Sequence, residues 1–423
     1  MKMIIQQKKF MEALEKGALA ALSEEAQSDT SIIANLIKSV RIEVDSKNLT
    51  IESATKLLAT KCVIPLDGDI EVKEEGEAFV SAKEICTWVS RQPNAKLAVS
   101  LSKLDTPDIV NPLVNEADGT VVKGIKRIGF LKIASKDGGK TGTKWELDSY
   151  DASQLGEYEM KLPSVKKFEV PVKQLNEGLK SVAFAIMPKH YQHLYDSISF
   201  QNYNSKVYML ASDTARASIY EIDQATDNNL DVNLLAPTKF LLAATKLANG
   251  DENISFYFDE KSNKIYLSQG EGFIVKMSTA DADKVKIFPP VKLLLSKSYK
   301  TLAKLPKEVF VNRLMNSIMV NDSAALFVFK GDQLVIHAVS SSGKKPLSGN
   351  ASVTDLLCDF SAVWGVSHIL DFLKLQKDED VVIGIPENDK GSVQFTSKQD
   401  PNWIYYVMAQ DAKKTKYDQV KVD

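Results

Sequence analysis

"PVKQLNEGLKSVAFAI", residues 171–186, reads as a helix, and "ISFQNYNSKVYML", residues 198–210, reads as two strands joined by a polar turn. What decides the fold is that this order recurs. A helix "PTKFLLAATKLANG" (237–250) follows, and then strands in "ISFYFDEKSNKIYLSQGEGFIVKMS" (254–278). Upstream, "QKKFMEALEKGALAAL" (7–22) places Phe10, Met11, Leu14, Ala18 and Leu22 on one helical face. After it come a hairpin signal in "VRIEVDSKNLTIES" (40–53), a helix in "SAKEICTWVSRQ" (81–92) and the strand "KLAVSLS" (96–102). Downstream, "LPKEVFVNRLMNSIMV" (305–320) precedes the strands of "ALFVFKGDQLVIHAVS" (325–340). A helix over "FSAVWGVSHILDFLKLQK" (360–377) precedes those of "VVIGIPENDKGSVQFTS" (381–397) and "WIYYVMA" (403–409). Six helices, each trailed by strands, make three similar units. Tight polar turns mean mostly antiparallel sheets with helices packed on them, an α+β fold.

A chain of 423 residues is too long for one ordinary core. Polar and proline-containing joins at 156–170 and 287–307 divide it into domains over 1–163, 164–292 and 293–410, with a tail over 411–423. The stretch 102–127, "SKLDTPDIVNPLVNEADGTVVKGIKR", predicts an inserted loop near 103–127 in the first domain. No apolar run reaches the roughly 20 residues that a bilayer span needs, and the N-terminus lacks a signal-peptide core, so a cytoplasmic protein is expected. Cys62, Cys86 and Cys358 are scattered, which suggests neither a disulfide framework nor a zinc site.

The net charge of −2 argues against a protein coated in nucleic acid, yet the helices break the average. They carry Lys8, Lys9, Lys16, Lys83, Arg91, Lys173, Lys180, Lys239, Lys246, Lys307, Arg313, Lys374 and Lys377 against fewer acids. Helix propensity on a solvated face accounts for any one of these lysines. The same bias on six helices predicts a positively charged lining suited to phosphates without base readout.

Order and motifs together resemble the bacterial DNA polymerase sliding clamp, the beta subunit of the replicative polymerase, over nearly the whole chain. The opening "MIIQQKKFMEAL" is similar to the first strand and helix of such clamps. "AFAIMPKHYQHLYDSISF" leading to "LASDTARAS" resembles the family's Phe-Ser-Met helix end followed by a Thr-Asp-Gly-x-Arg-Leu corner. The end, Tyr405-Tyr406-Val407-Met408 followed by Ala409 and Gln410, resembles Tyr-x-Val-Met-Pro-x-Arg. The resemblance implies three domains of the DNA-clamp fold, with sheets outside and helices lining a central hole. It implies a head-to-tail homodimer ring that encircles double-stranded DNA without sequence preference and tethers a DNA polymerase after a clamp loader has placed it. It also implies no catalysis, cofactor or metal, and a pocket between the second and third domains that receives short peptides. The positions that match that pocket are Tyr195, Ser212, Asp213, Thr214, Arg216, Ala217, Pro289, Leu294, Tyr406, Met408, Ala409 and Gln410.

This chain keeps the Asp and Arg of the corner but not its glycine, its leucine or the terminal proline. The turn alone accounts for an Asp213–Arg216 pair; the pocket reading instead expects Tyr195 and Tyr406 to offer aromatic surface to a peptide. The tail beyond Gln410 reads as a disordered end or a flap over the pocket. These departures suit a divergent clamp, such as one encoded by a large bacteriophage.

Two other classes fit less well. "KDGGKTGTKW" (136–145) has Ala134 where a phosphate-binding loop needs its first glycine, and strand-like flanks, so it reads as a hairpin. His190 and His193 are three apart without a companion ligand motif. A clamp-fold DNA-binding or scaffold protein that forms no stable closed ring is the alternative that the sequence leaves open.

Overall fold

The computed structural model describes all residues except 32, 93–94, 115–120, 138–139, 156–159, 165, 189–194, 224–232, 280–287, 322, 341–345, 387–390, 416 and 418–423. The chain divides into two compact units, one of Met1–Val172 with Lys239–Thr279 and the other of Lys173–Thr238 with Ala280–Asp423. The middle repeat is thus shared between them. The cause is strand pairing: Phe273–Ser278 adds antiparallel to Leu58–Pro65 of the first repeat, and Arg216–Ile222 adds to Trp403–Met408 of the last.

In the first unit thirteen strands among the described residues form one hydrogen-bonded order. The helices Gln7–Gly17 and Ala82–Ser90 bury Phe10, Leu14, Ile85 and Val89 against Ile42, Ile51, Leu97 and Leu131. The first helix stops at Gly17, short of the expected Leu22. A side chain at Gly17 would put its Cβ 2.4 Å from the Ile51 carbonyl oxygen, and the Gly17 carbonyl accepts from the hydroxyls of Ser53 (2.7 Å) and Thr60 (2.9 Å). Ala18 stays buried, while Leu22 is left at the surface in the turns that follow.

The stretch expected to be an inserted loop is instead a long hairpin. Lys96–Val114 pairs with Val121–Asp137 at Lys103↔Gly129, and again at Asp108↔Arg127 and Val110↔Ile125. Its prolines disguised it. Pro107 and Pro112 both fall where the register shifts, the positions at which a strand tolerates a residue without an N–H donor. Arg127 pins the base of the arm, bonding Asp108 (Nε to Oδ1, 3.0 Å) and Asp148 (Nη1 to Oδ1, 2.9 Å).

The second unit holds an eight-stranded and a four-stranded sheet. The helix expected over 360–377 is a strand, Phe360–Trp364, followed by a helix, Val366–Leu375. Gly365 separates them, and Trp364 is fully buried against Phe327, Phe329 and Phe360. Of the tail expected to be a disordered end or a flap, residues 416 and 418–423 lie outside the described residues. Residues 411–415 make a turn, and Tyr417 is buried on the face of the four-stranded sheet with Leu326, Val328 and Val363.

Candidate functional site

Asp213 shapes the corner. Its Oδ1 accepts from the backbone N–H groups of Ala215 (3.1 Å) and Arg216 (3.0 Å), an Asx-type turn, and its Oδ2 accepts from Arg216 Nε at 2.8 Å. Ser212 is spent locally, its hydroxyl donating to the Arg216 carbonyl at 2.8 Å. Thr214 sits at φ +76°, in the left-handed region, where the family pattern has glycine. The Ala215 carbonyl accepts from Met408 N–H at 2.8 Å, which ties the corner to the last strand.

The first unit contains the same corner without the charges. Thr55 Oγ1 accepts from the N–H groups of Leu57 and Leu58, and the Leu57 carbonyl accepts from Ser278 N–H at 2.8 Å. Thr55 stands where the second unit has Asp213, and Leu58 where it has Arg216. The turn therefore does not need the arginine. Arg216 instead reaches out of the corner, its Nη1 donating to Asp371 Oδ2 at 2.8 Å on the Val366–Leu375 helix. Burial alone would pull its pKa down, but Tyr405, Asp371 and Asp213 outweigh it, and the guanidinium is held above its ordinary value. His368, on the same helix, is pushed down by burial and then by Arg216.

Beside the corner lies an apolar cluster that brings together Ala217, Leu294 and Tyr406 with Phe288, and packs Tyr195 and Met408 against them. Tyr406 does not offer surface: it is fully buried, its hydroxyl accepts from Gln394 Nε2 at 3.1 Å, and its ring lies 5.5 Å from Tyr299. Tyr195 is half-buried, with its ring 5.8 Å from Phe288. Leu293 is an open apolar group of this region at 61% exposure. The Pro289 carbonyl accepts from Gln201 Nε2 at 3.0 Å, and Gln201 Oε1 accepts from Val291 N–H at 2.6 Å. Ala409 and Gln410 are held through their backbones, donating to the carbonyls of Gly391 and Val363 at 2.8 Å each. Sequence reasoning missed Gln201, Leu293 and Asp371. Gln201 stands among the polar Ser197, Ser199 and Asn202 of its strand, so neither it nor Asp371 carried a signal of its own.

The basic helix residues fall into two groups. Lys8, Lys83, Arg91, Lys173, Lys180, Lys239, Lys246 and Lys377 are exposed. Lys9 pairs with Asp67, Lys307 with the Gln376 carbonyl, Arg313 Nε with the Asn350 carbonyl at 2.6 Å, and Lys374 with Asp371 at 3.3 Å. Lys16 lies over the Phe273 ring, 5.5 Å from its centre, beside a cavity of about 230 Å³ that Glu12 and Glu252 also line. The outward side of the Lys307–Ile318 helix bears Glu308, Val309, Asn312, Met315 and Asn316, so it is not basic.

The 136–145 stretch forms the expected hairpin, Asp137 pairing with Lys140, with Gly138 and Gly139 outside the described residues. His190 and His193 also lie outside them. Among the described residues no cluster of metal-ligating side chains occurs and no helix is long and apolar enough to cross a membrane.

No family model matches the sequence, and no curated protein matches it either. Solved structures do. A DnaN sliding clamp (DNA polymerase III subunit beta) from Pseudomonas aeruginosa bound to griselimycin is 15% identical, with a TM-score of 0.75 over 97% of this chain and 99% of that one. A DnaN sliding clamp from Bartonella birtlesii bound to griselimycin is 15% identical, with a TM-score of 0.72 over 97% and 100%. The chain therefore has the fold of the DNA polymerase III beta sliding clamps, carried by a sequence only 15% identical to those compared.

Proposed function

We propose that the protein is a sliding clamp: three clamp domains, over 1–163, 164–292 and 293–410, join head to tail with a second copy into a ring around duplex DNA. The observation that carries this reading is the clamp fold over 97% of the chain with exposed lysines and an arginine on its helices. Phosphate contacts from long, mobile side chains are numerous and read no sequence, which is what sliding needs. Tethering a polymerase raises its effective concentration at the template and requires no catalysis, so the protein works without cofactor or metal.

Two features suit ring closure. The strand Leu347–Ser352 is an edge of its sheet, and among the described residues Lys140–Tyr150 is in register with Gly76–Ser81 at Val80↔Ser149. Met315 and Met319, 52% and 71% exposed, supply an apolar patch on and just after the Lys307–Ile318 helix. Edges and patches of this kind are normally covered. The seam beside Arg216 is the proposed docking place for peptides of a polymerase and a clamp loader, with Leu293, Tyr195 and Met408 as apolar contacts. These partners place its work with the replication machinery in the cytoplasm, and its divergence suits a bacteriophage-encoded clamp.

Light scattering and DNA trapping test the reading. A mass near twice 46.8 kDa that persists on dilution, with retention on nicked circular duplex and release on linearisation, is expected. A monomer that is never retained on circular DNA would leave a clamp-fold scaffold instead.

A further inference from the structure

We propose that the start of the C-terminal tail, residues 411–415 with Tyr417, is a clasp that fixes the Met408–Gln410 wall of the seam. The wall is the end of the last strand. Met408, Ala409 and Gln410 donate in turn to the carbonyls of Ala215, Gly391 and Val363, three successive bonds of 2.8 Å to three different segments. A chain that stopped here would end on those bonds, and chain ends fray unless something ties them down.

The tail ties this one. Asp411 Oδ1 accepts from Lys413 N–H at 2.9 Å, and the N–H groups of Thr415 and Tyr417 donate back to the carbonyls of Asp411 and Ala412. That turn delivers Tyr417 to the sheet face at 3% exposure. Its hydroxyl donates to the Ala324 carbonyl at 2.6 Å and accepts from Val339 N–H at 3.2 Å, so the phenol is buried with its polar tip satisfied. Val363 closes the loop: its carbonyl holds Gln410 and its side chain packs with Tyr417. Opening the wall therefore requires undocking the ring or stretching the short turn between two fixed points. A wall ordered in advance lowers the entropic cost of seating a partner. That consequence rests on the peptide-docking reading of the seam; the clasp itself does not.

Amide hydrogen exchange on the full chain tests it, comparing wild type with Tyr417→Ala and with the gentler Tyr417→Phe. Exchange at Ala409 and Gln410 is expected to rise about tenfold or more in Tyr417→Ala and less in Tyr417→Phe, with the strands at 254–278 unchanged as an internal standard. Faster exchange at Val339 with no change at Ala409 and Gln410 in either variant would show that Tyr417 merely covers the sheet, and would overturn the proposal. No change at Val339 would overturn the docking as well. Retention of the wild-type protein on circular DNA is scored separately, so a failed clamp reading and a failed clasp are distinguishable.

Discussion

Arg216 shows how a pair that looks local can be a long-range tie. Asp213 was readable as a turn former because an Asx turn is a property of adjacent residues. Nothing in the spacing announced Asp371, since a partner 155 positions away is chosen by packing and not by sequence distance. The guanidinium is 10% exposed, so removing it leaves the Asp213 Oδ2 without its ion pair, and Arg216→Ala is expected to cost about 2–4 kcal/mol in a urea titration. Asp371 is 37% exposed and screened by solvent, so Asp371→Ala is expected to cost only about 1 kcal/mol. Equal losses in the two variants would contradict this ordering. Thr214 makes the opposite case. A β-branched residue at φ +76° carries left-handed strain of about 1–2 kcal/mol, while glycine there costs about 0.5–1 kcal/mol in unfolded-chain entropy. Thr214→Gly is therefore expected to leave stability unchanged or raise it by up to about 1 kcal/mol, and a clear loss would mean that the threonine side chain is needed.

Among elements, the helices were the most legible, because a period of 3.6 residues persists whatever the helix packs against. Phe360–Trp364 was misread since a short apolar run suits a strand as well as a helix, and only its pairing with Ala325–Lys330 decides. The 103–127 part of the hairpin was misread because prolines and acids normally signal loops, and here the prolines occupy register shifts. Charge was legible as composition but not as availability. Lys9, Lys16, Lys307, Arg313 and Lys374 are engaged within the fold and Lys239 lies over the Phe240 ring, 4.8 Å from its centre, whereas Lys83, Lys180 and Lys246 are exposed. Replacing those three by Gln should lower the slope of log affinity for duplex DNA against log salt by about 0.9 for each phosphate that is no longer neutralised. Replacing Lys9 and Lys16 should alter the slope much less and stability more. The opposite pattern would show that the intramolecular pairs open on DNA.

At the scale of the whole molecule, each of the two units also buries side chains that titrate only at high pH. Burial pushes the Cys62 thiol up to about 11, Cys86 to about 12 and the Tyr220 phenol to about 12. Each is raised above its unfolded value, so its contribution is complete below that value, near 9 for the thiols and 10 for the phenol, and is lost as pH rises through the folded value. The unfolded chain gives up its protons first, and each unit of separation is worth about 1.4 kcal/mol. The urea midpoint should therefore hold level near pH 8 and fall continuously between about pH 9 and pH 12. The fall should be shallower in a Cys62→Ala, Cys86→Ala variant, whose midpoint starts lower because two buried side chains have been cut back. Cys62 sits opposite Phe273 in the pairing that joins the first repeat to the middle one, so the same titration reports on the joint between repeats. The three repeats were readable from the recurring order of helix and strands; their union was not, because edge-to-edge pairing leaves no mark in either strand's own alternation. A midpoint unchanged to pH 11 would mean that water reaches these thiols and that the joint is open in solution.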